Sequence, residues 1–308
     1  MESTGTKRHG GYRVSFGGRV FDAVNILLLL VFIVIVFYPF YFCVMLSFND
    51  GRDADRGGIY FWPRVFSIEN YKIVFSDARL LIAARNTVLR TLLGTVITVF
   101  FTSMFAFAAS RPHLAFKKLY LTLGFITLYF NGGLIPTYLL IRSLGLLDRF
   151  LVYLVPSLFS MFNAIIFMSF FKTLPPGLID AALIDGASDF HVFLRIAIPV
   201  STPVLAAVAL FTGVGQWNSW FDTMLYTRSA QLDTLPHILM KMIQTQRYFE
   251  MMADSATAST NMMLQMQGLT STSLQLATMV ITAFPIIAAY PFLQKYFVKG
   301  IMIGSIKG

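Results

Sequence analysis

Apolar residues gather along this chain in six long blocks separated by polar stretches. The first, about Val24 to Leu46, carries no charge and is long enough to cross a bilayer as a helix. Pro39 is expected to kink it. The second runs from about Thr87 to Ala109, and Arg85 and Arg90 stand where it starts, positions from which a long side chain snorkels to the interface. The third, about Leu119 to Ile141, is interrupted by Asn131, Gly132, Gly133 and Pro136. The fourth is about Phe150 to Phe171, the fifth about Val204 to Phe221, and the sixth about Leu274 to Phe292 with Pro285 and Pro291 inside it. Six spans place both termini on one side of a membrane. The sequence therefore predicts an all-α, polytopic membrane protein with six transmembrane helices.

One mid-chain stretch, Asp180 to Pro203, breaks the membrane-like pattern. Pro175 and Pro176 suit the first turn of a helix, where a missing N–H costs nothing. Leu178 to Asp185 holds only helix-compatible residues, and Gly186 suits a helix end that needs positive φ. Ser188 or Asp189 can cap a second helix. Phe190, Phe193, Leu194 and Ala197 then fall at helical spacing on one apolar face, and Pro199 is expected to stop the helix. The small residues Ala181, Ala182, Gly186 and Ala187 leave room for another protein's surface. These two short helices form a candidate plug that passes force from a soluble partner to the membrane body.

Composition agrees with a membrane protein: 56% hydrophobic, 13% charged and 15% aromatic, with mean hydropathy +0.68. The net charge of +9 is what a cytoplasmic membrane face requires, and does not imply nucleic-acid binding. The hairpin's Asp180, Asp185 and Asp189 against Arg195 also oppose a DNA-reading role. Lys and Arg divide nearly evenly between the two sides, so orientation rests on the basic N-terminal tail (Lys7, Arg8, Arg13, Arg19), which is placed in the cytoplasm. The lone Cys43 excludes an intrachain disulfide, and a cleavable signal peptide is not expected. No phosphate-cradling glycine loop with a lysine is present, so the chain is not expected to hydrolyse ATP. The histidines are scattered and lack metal-ligand spacing.

The stretch beginning at Asp180 resembles the EAA signature of binding-protein-dependent ABC importer permeases. The match falls on Asp180, Ala181, Ala182, Gly186, Ile196, Ile198 and Pro199 with its spacing intact, and Asp180 stands where the family usually has Glu. Asp185-Gly186-Ala187 and Pro203 are further matches typical of the carbohydrate branch. The segments Phe66-Ser-Ile-Glu-Asn-Tyr71, Phe130-Asn-Gly-Gly-Leu-Ile-Pro-Thr-Tyr138, Gly215-Gln-Trp-Asn-Ser-Trp-Phe-Asp222 and Tyr290-Pro-Phe-Leu-Gln-Lys-Tyr-Phe-Val-Lys-Gly-Ile-Met-Ile-Gly304 are similar to sugar permeases, the last three to their LplC/YtcP branch. The overall pattern is similar to the smaller membrane subunit of maltose-type importers. Most of residues 60–308 is covered.

The resemblance implies a non-catalytic subunit of a type I ABC importer in a bacterial cytoplasmic membrane. It implies a second permease subunit forming a heterodimer, two ATP-binding subunits that bind ATP and Mg, an extracytoplasmic solute-binding protein, and an oligosaccharide or related saccharide as substrate. No cofactor is expected in this chain. The expected organisation is a cytoplasmic tail over 1–20 and a single permease domain over 21–308. That domain contains a coupling loop over 173–199, an outer loop over 225–273 and a cytoplasmic tail over 295–308. Contact with the ATPases is assigned to Asp180, Ala181, Ala182, Asp185, Gly186, Ala187, Phe190, Phe193, Ile196 and Pro199. Gln265, Gln267 and Gly268 are placed at a loop tip reaching into the binding protein.

Sugars need amide hydrogen bonds and flat aromatic faces. Tyr129, Asn131, Asn163, Gln216, Trp217, Asn218 and Trp220 are the candidates in or near the spans, and polar members must face a cavity or another helix. Helix-to-helix glue competes for Asn131 and Asn163, and an interfacial aromatic belt for Trp217 and Trp220. An amino-acid or peptide permease is the nearest rival function. A secondary carrier is further away, because the acidic residues lie in loops or at span edges (Asp22, Asp222) rather than mid-membrane. A membrane scaffold or sensor would need a soluble output domain.

Overall fold

A computed structural model describes residues 16–54, 56–254 and 272–304. Its described part is helical, with one isolated antiparallel bridge between Asn49 and Phe66. The helices are α1 (Phe16–Ser47), α2 (Gly51–Ala54), α3 (Glu69–Ser76), α4 (Ala78–Ser110), α5 (Lys117–Tyr129), α6 (Leu134–Ser143) and α7 (Met161–Phe171). They continue with α8 (Pro176–Ile184), α9 (Asp189–Val192), α10 (Ile198–Val200), α11 (Thr202–Asn218), α12 (Phe221–Tyr226), α13 (Leu235–Asp254) and α14 (Thr272–Gly304).

Among the described residues, three helices are long and apolar enough to cross a membrane: α1, α4 and Thr272–Ala289 of α14. The number rises to five if two bent pairs each count as one span, Phe150–Ser157 with α7 (48°) and Asp189–Val200 with α11 (85°). The expected third span is two short helices, α5 and α6, broken at Gly133 with φ 87°. α1 carries Pro39 inside a continuous helix, and none of its apolar window is buried.

The centre is α4, packed along α11 and α7. Ala106, Ala109, Ala164 and Ala197 are fully or almost fully buried among Phe107, Phe167, Phe171 and Phe193. Small residues at these crossings let backbones approach closely, which matters where lipid offers no hydrophobic drive between helices. Gly94 of α4 lies directly against Gln216 of α11. α14 crosses α1 and α11, and Trp217 Nε1 donates to the Thr282 carbonyl at 2.9 Å. Trp217 is therefore a buried tie between helices rather than part of an interfacial belt.

Broken helices leave backbone groups without partners, and in a membrane protein these must be met from within. At the break before α7, Thr98 Oγ1 donates to the Ser157 carbonyl and Thr102 Oγ1 accepts from Ser160 N, both from α4. Beyond the other end of α11, Asn86 Nδ2 donates to the carbonyls of Gln231 and Asp233, and Thr87 Oγ1 accepts from Leu235 N. α4 thus organises the connections on both of its flanks.

Candidate functional site

The stretch assigned to ATPase coupling folds as a capped helical hairpin. Gly186 N donates to the Leu183 carbonyl and Ala187 N to the Ala182 carbonyl, which together close α8 in a Schellman turn. Gly186 has φ 83°, the left-handed value that this cap requires. Ser188 opens α9, its hydroxyl accepting from His191 N at 3.3 Å.

Past α9 the structure departs from expectation. Residues Phe193–Ala197 form a π-turn, and the helix continues through Pro199 to Val200. Ile198 N donates to the Phe193 carbonyl, a wide turn that accommodates the proline ring. Pro199 does not stop the helix, and the 85° turn into α11 comes at Ser201. The buried face also differs from the expected one. Val192, Phe193 and Ala197 are buried, whereas Phe190 and Leu194 are 53% and 39% exposed.

Of the predicted coupling residues, Asp180, Ala181, Asp185, Gly186, Phe190 and Pro199 are exposed. Ala182, Ala187 and Ile196 are half-buried, and Phe193 is buried. Phe193 meets Phe107 of α4 with ring centroids 5.6 Å apart. Ile184, unassigned by the sequence, is 85% exposed at the tip of α8. A cavity of about 530 Å³ separates the hairpin from the end of α4, lined by Phe107, Arg111, Ile179, Asp180, Asp189 and Phe193 among others. Arg111 lies over the Phe107 ring at 4.4 Å. Burial pushes its pKa down, while the carboxylates of Asp189 and Asp180 act the other way.

A second cavity, of about 370 Å³, lies between α4, the break before α7, and the junction of α11 with α12. It brings together two of the predicted sugar-path residues, Asn163 and Gln216. Asn163 Nδ2 donates to Thr212 Oγ1 at 3.3 Å. The others lie elsewhere. Tyr129 and Asn131 sit at the α5–α6 break, both exposed, with Asn131 Oδ1 accepting from Gly133 N. Asn218 is exposed at the end of α11, Trp217 faces α14, and Trp220 is half-buried beside Phe221. Gln265, Gln267 and Gly268 fall outside the described residues.

The sequence reading missed the cavity's charged centre. Arg90 does not snorkel: it is 2% exposed, one-third of the way along α4 rather than at its start. Its guanidinium donates to both Asp222 oxygens, at 3.1 and 2.5 Å, to Gln216 Oε1 at 3.1 Å, and to the Ser219 carbonyl at 3.2 Å. The Tyr153 ring lies 4.4 Å beneath it. Asp222 also accepts from Ser219 Oγ and Thr223 N. The available signal was two opposite charges at the edges of apolar blocks. Their separation of 132 residues hid the pairing.

No protein-family model matches the chain. It is 38% identical over 291 residues to protein LplC of Bacillus subtilis, covering 94% of this chain and 96% of that protein. It is 30% identical over 296 residues to the polygalacturonan/rhamnogalacturonan transport system permease protein YtcP of the same organism, covering 94% and 99%. Among solved structures, a chain of a bacterial ABC transporter involved in the import of the acidic polysaccharide alginate superposes with TM-score 0.80 at 27% identity, covering 92% of this chain and 98% of that one.

Proposed function

Because the chain belongs to the permeases of carbohydrate ABC transporters, we propose that it is the membrane subunit through which an oligosaccharide, delivered by an extracytoplasmic binding protein, enters the cell. In this reading the chain crosses the membrane six times, with α5 and α6 together making the third crossing and both termini in the cytoplasm. It pairs with a second permease subunit, and two partner ATPases bind ATP and Mg and hydrolyse it. The α8–α9 hairpin sits in a cleft of one ATPase. Closure of the ATPase dimer moves the hairpin, and the two permeases rock from inward-open to outward-open.

The observation that carries the reading is the hairpin's two-sided character. One side, Val192, Phe193 and Ala197, is buried against α4 and its neighbours, while Ile184 and Phe190 project outward. Apolar side chains exposed beside the acidic residues Asp180 and Asp185 fit a protein partner. The test is co-purification of the ATPases with the wild-type chain, with Gly186→Trp, and with a deletion of 181–187, together with binding-protein-stimulated ATP hydrolysis. The proposal expects the ATPases to be lost while the two permeases stay paired. Unchanged association and hydrolysis would overturn it.

A further inference from the structure

The charged centre of the 370 Å³ cavity has a consequence for what the cavity accepts. Arg90 is the one cation lining it among the described residues; its two terminal nitrogens make four hydrogen bonds, while its buried Nε makes none. Arg90 is 2% exposed and the Asp222 side chain 24%. The carboxylate is thus the member of the pair that the cavity contents meet. The rest of the lining is uncharged, and much of it is hydroxyl or amide: Thr98, Ser160, Asn163, Thr212, Gln216 and Tyr226. Asn163 Oδ1 has no hydrogen-bond partner among the described residues.

We propose that this cavity is a saccharide subsite on this chain and that it selects an uncharged sugar unit, with Asp222 as the specificity-determining residue. The inference rests on the saccharide-permease reading above. A pyranose hydroxyl both donates and accepts, so it donates to Asp222 or Asn163 Oδ1 and accepts from the neighbouring hydroxyls and amides. A cavity of this size falls within the range of small-ligand pockets. A uronate would bring a second carboxylate beside Asp222 in a partly dehydrated site, where the one lining cation, Arg90, is already paired with Asp222. Like charges placed together in this way are strongly disfavoured. The polygalacturonan permease and the alginate importer similar to this chain are named for acidic polymers. The subsite therefore sets this chain's preference apart from those names.

The test is equilibrium binding of trigalacturonate and of its fully methyl-esterified form to the importer assembled from this chain, its partner permease and the ATPases, in nanodiscs without binding protein. The two probes share a ring skeleton and differ in charge. The ester should bind about tenfold or more tightly than the acid. Asp222→Asn should bring the two within about threefold, mainly by improving the acid. If that single change prevents assembly, Arg90→Gln with Asp222→Asn, neutral throughout, carries the same expectation. Asn163→Leu leaves the ion pair intact and should weaken both sugars without changing their ratio. Equal or tighter binding of the acid to the wild-type complex, or an undiminished ratio in the Asp222 variants, would overturn the proposal. Binding of neither probe to a complex that still transports saccharide with its binding protein would remove the subsite alone. A complex that transports no saccharide would remove the underlying reading too.

Discussion

Gly94 of α4 and Gln216 of α11 approach so closely that a Cβ at position 94 would lie 2.9 Å from the Gln216 amide. Gln216 is the residue that accepts from Arg90 Nη2. Gly94→Ala should push the amide aside and break that bond. The expected loss is about 1–3 kcal/mol, because overpacking a fitted contact costs about that much. Thermal unfolding in detergent of the variant against wild type checks it. An unchanged midpoint would mean the Gln216 side chain swings aside at little cost.

The Arg90–Asp222 pair should behave as a unit. Removing one partner leaves a buried charge without its counter-ion, at a cost of about 3–5 kcal/mol. Arg90→Met and Asp222→Asn should each destabilise strongly, and the double variant should be clearly milder than their sum. A double-mutant cycle on unfolding midpoints measures the coupling. Additive effects would show that the pair is not the centre of the junction between α4, α11 and α12.

Two phenylalanines three residues apart should part company. Phe193 is 1% exposed and Phe190 53%. Phe193→Ala should cost about 3–5 kcal/mol of stability, as for large core truncations. Phe190→Ala should leave the unfolding midpoint nearly unchanged and weaken ATPase association. Measuring midpoint and co-purified ATPase on both variants separates the two roles.

Acidification should loosen the seam beside α13. Burial of Asp233 opposes its ionisation, but the hydrogen bond from His237 and the Lys241 charge prevail and hold its carboxyl below the usual range. A carboxylate lowered in this way stabilises the fold above its unfolded pKa of about 3.9 and loses that contribution as pH falls through the folded value. The unfolding midpoint of Asp233→Asn should therefore lie below wild type at neutral pH, by an amount equivalent to about 1 kcal/mol. The gap should close as pH drops below about 4. A gap that widens with acid would contradict the sign.

Much of this architecture is legible in the sequence where one residue type has one physical use. Gly186 is such a case, because only a left-handed cap ends α8 there. Asn131 to Gly133 likewise mark the place where the third apolar block breaks. The uniform apolar blocks of α1, α4 and α14 show their length. They do not show which helix meets which, so Trp217, a sugar-path candidate with a belt role as its rival, proved to be bonded to Thr282. Pro199 misled because a π-turn upstream makes room for it. Arg90 misled because its acidic partner lies 132 residues later in the chain.

α4 touches both sites with a single unbroken helix. Arg90 stands at the 370 Å³ cavity and Arg111 just beyond the helix's far end, about 31 Å away by the helical rise. A continuous helix of that length acts as a lever. A tilt of about 10° about the Arg90 end would carry the Arg111 end through about 5 Å, close to one helical turn. A hinge residue inside the helix would waste that stroke, and α4 contains neither proline nor a break from Ala78 to Ser110. A rigid tilt of α4 would thus move Phe107 against the hairpin and the wall of the cavity around Arg90 together.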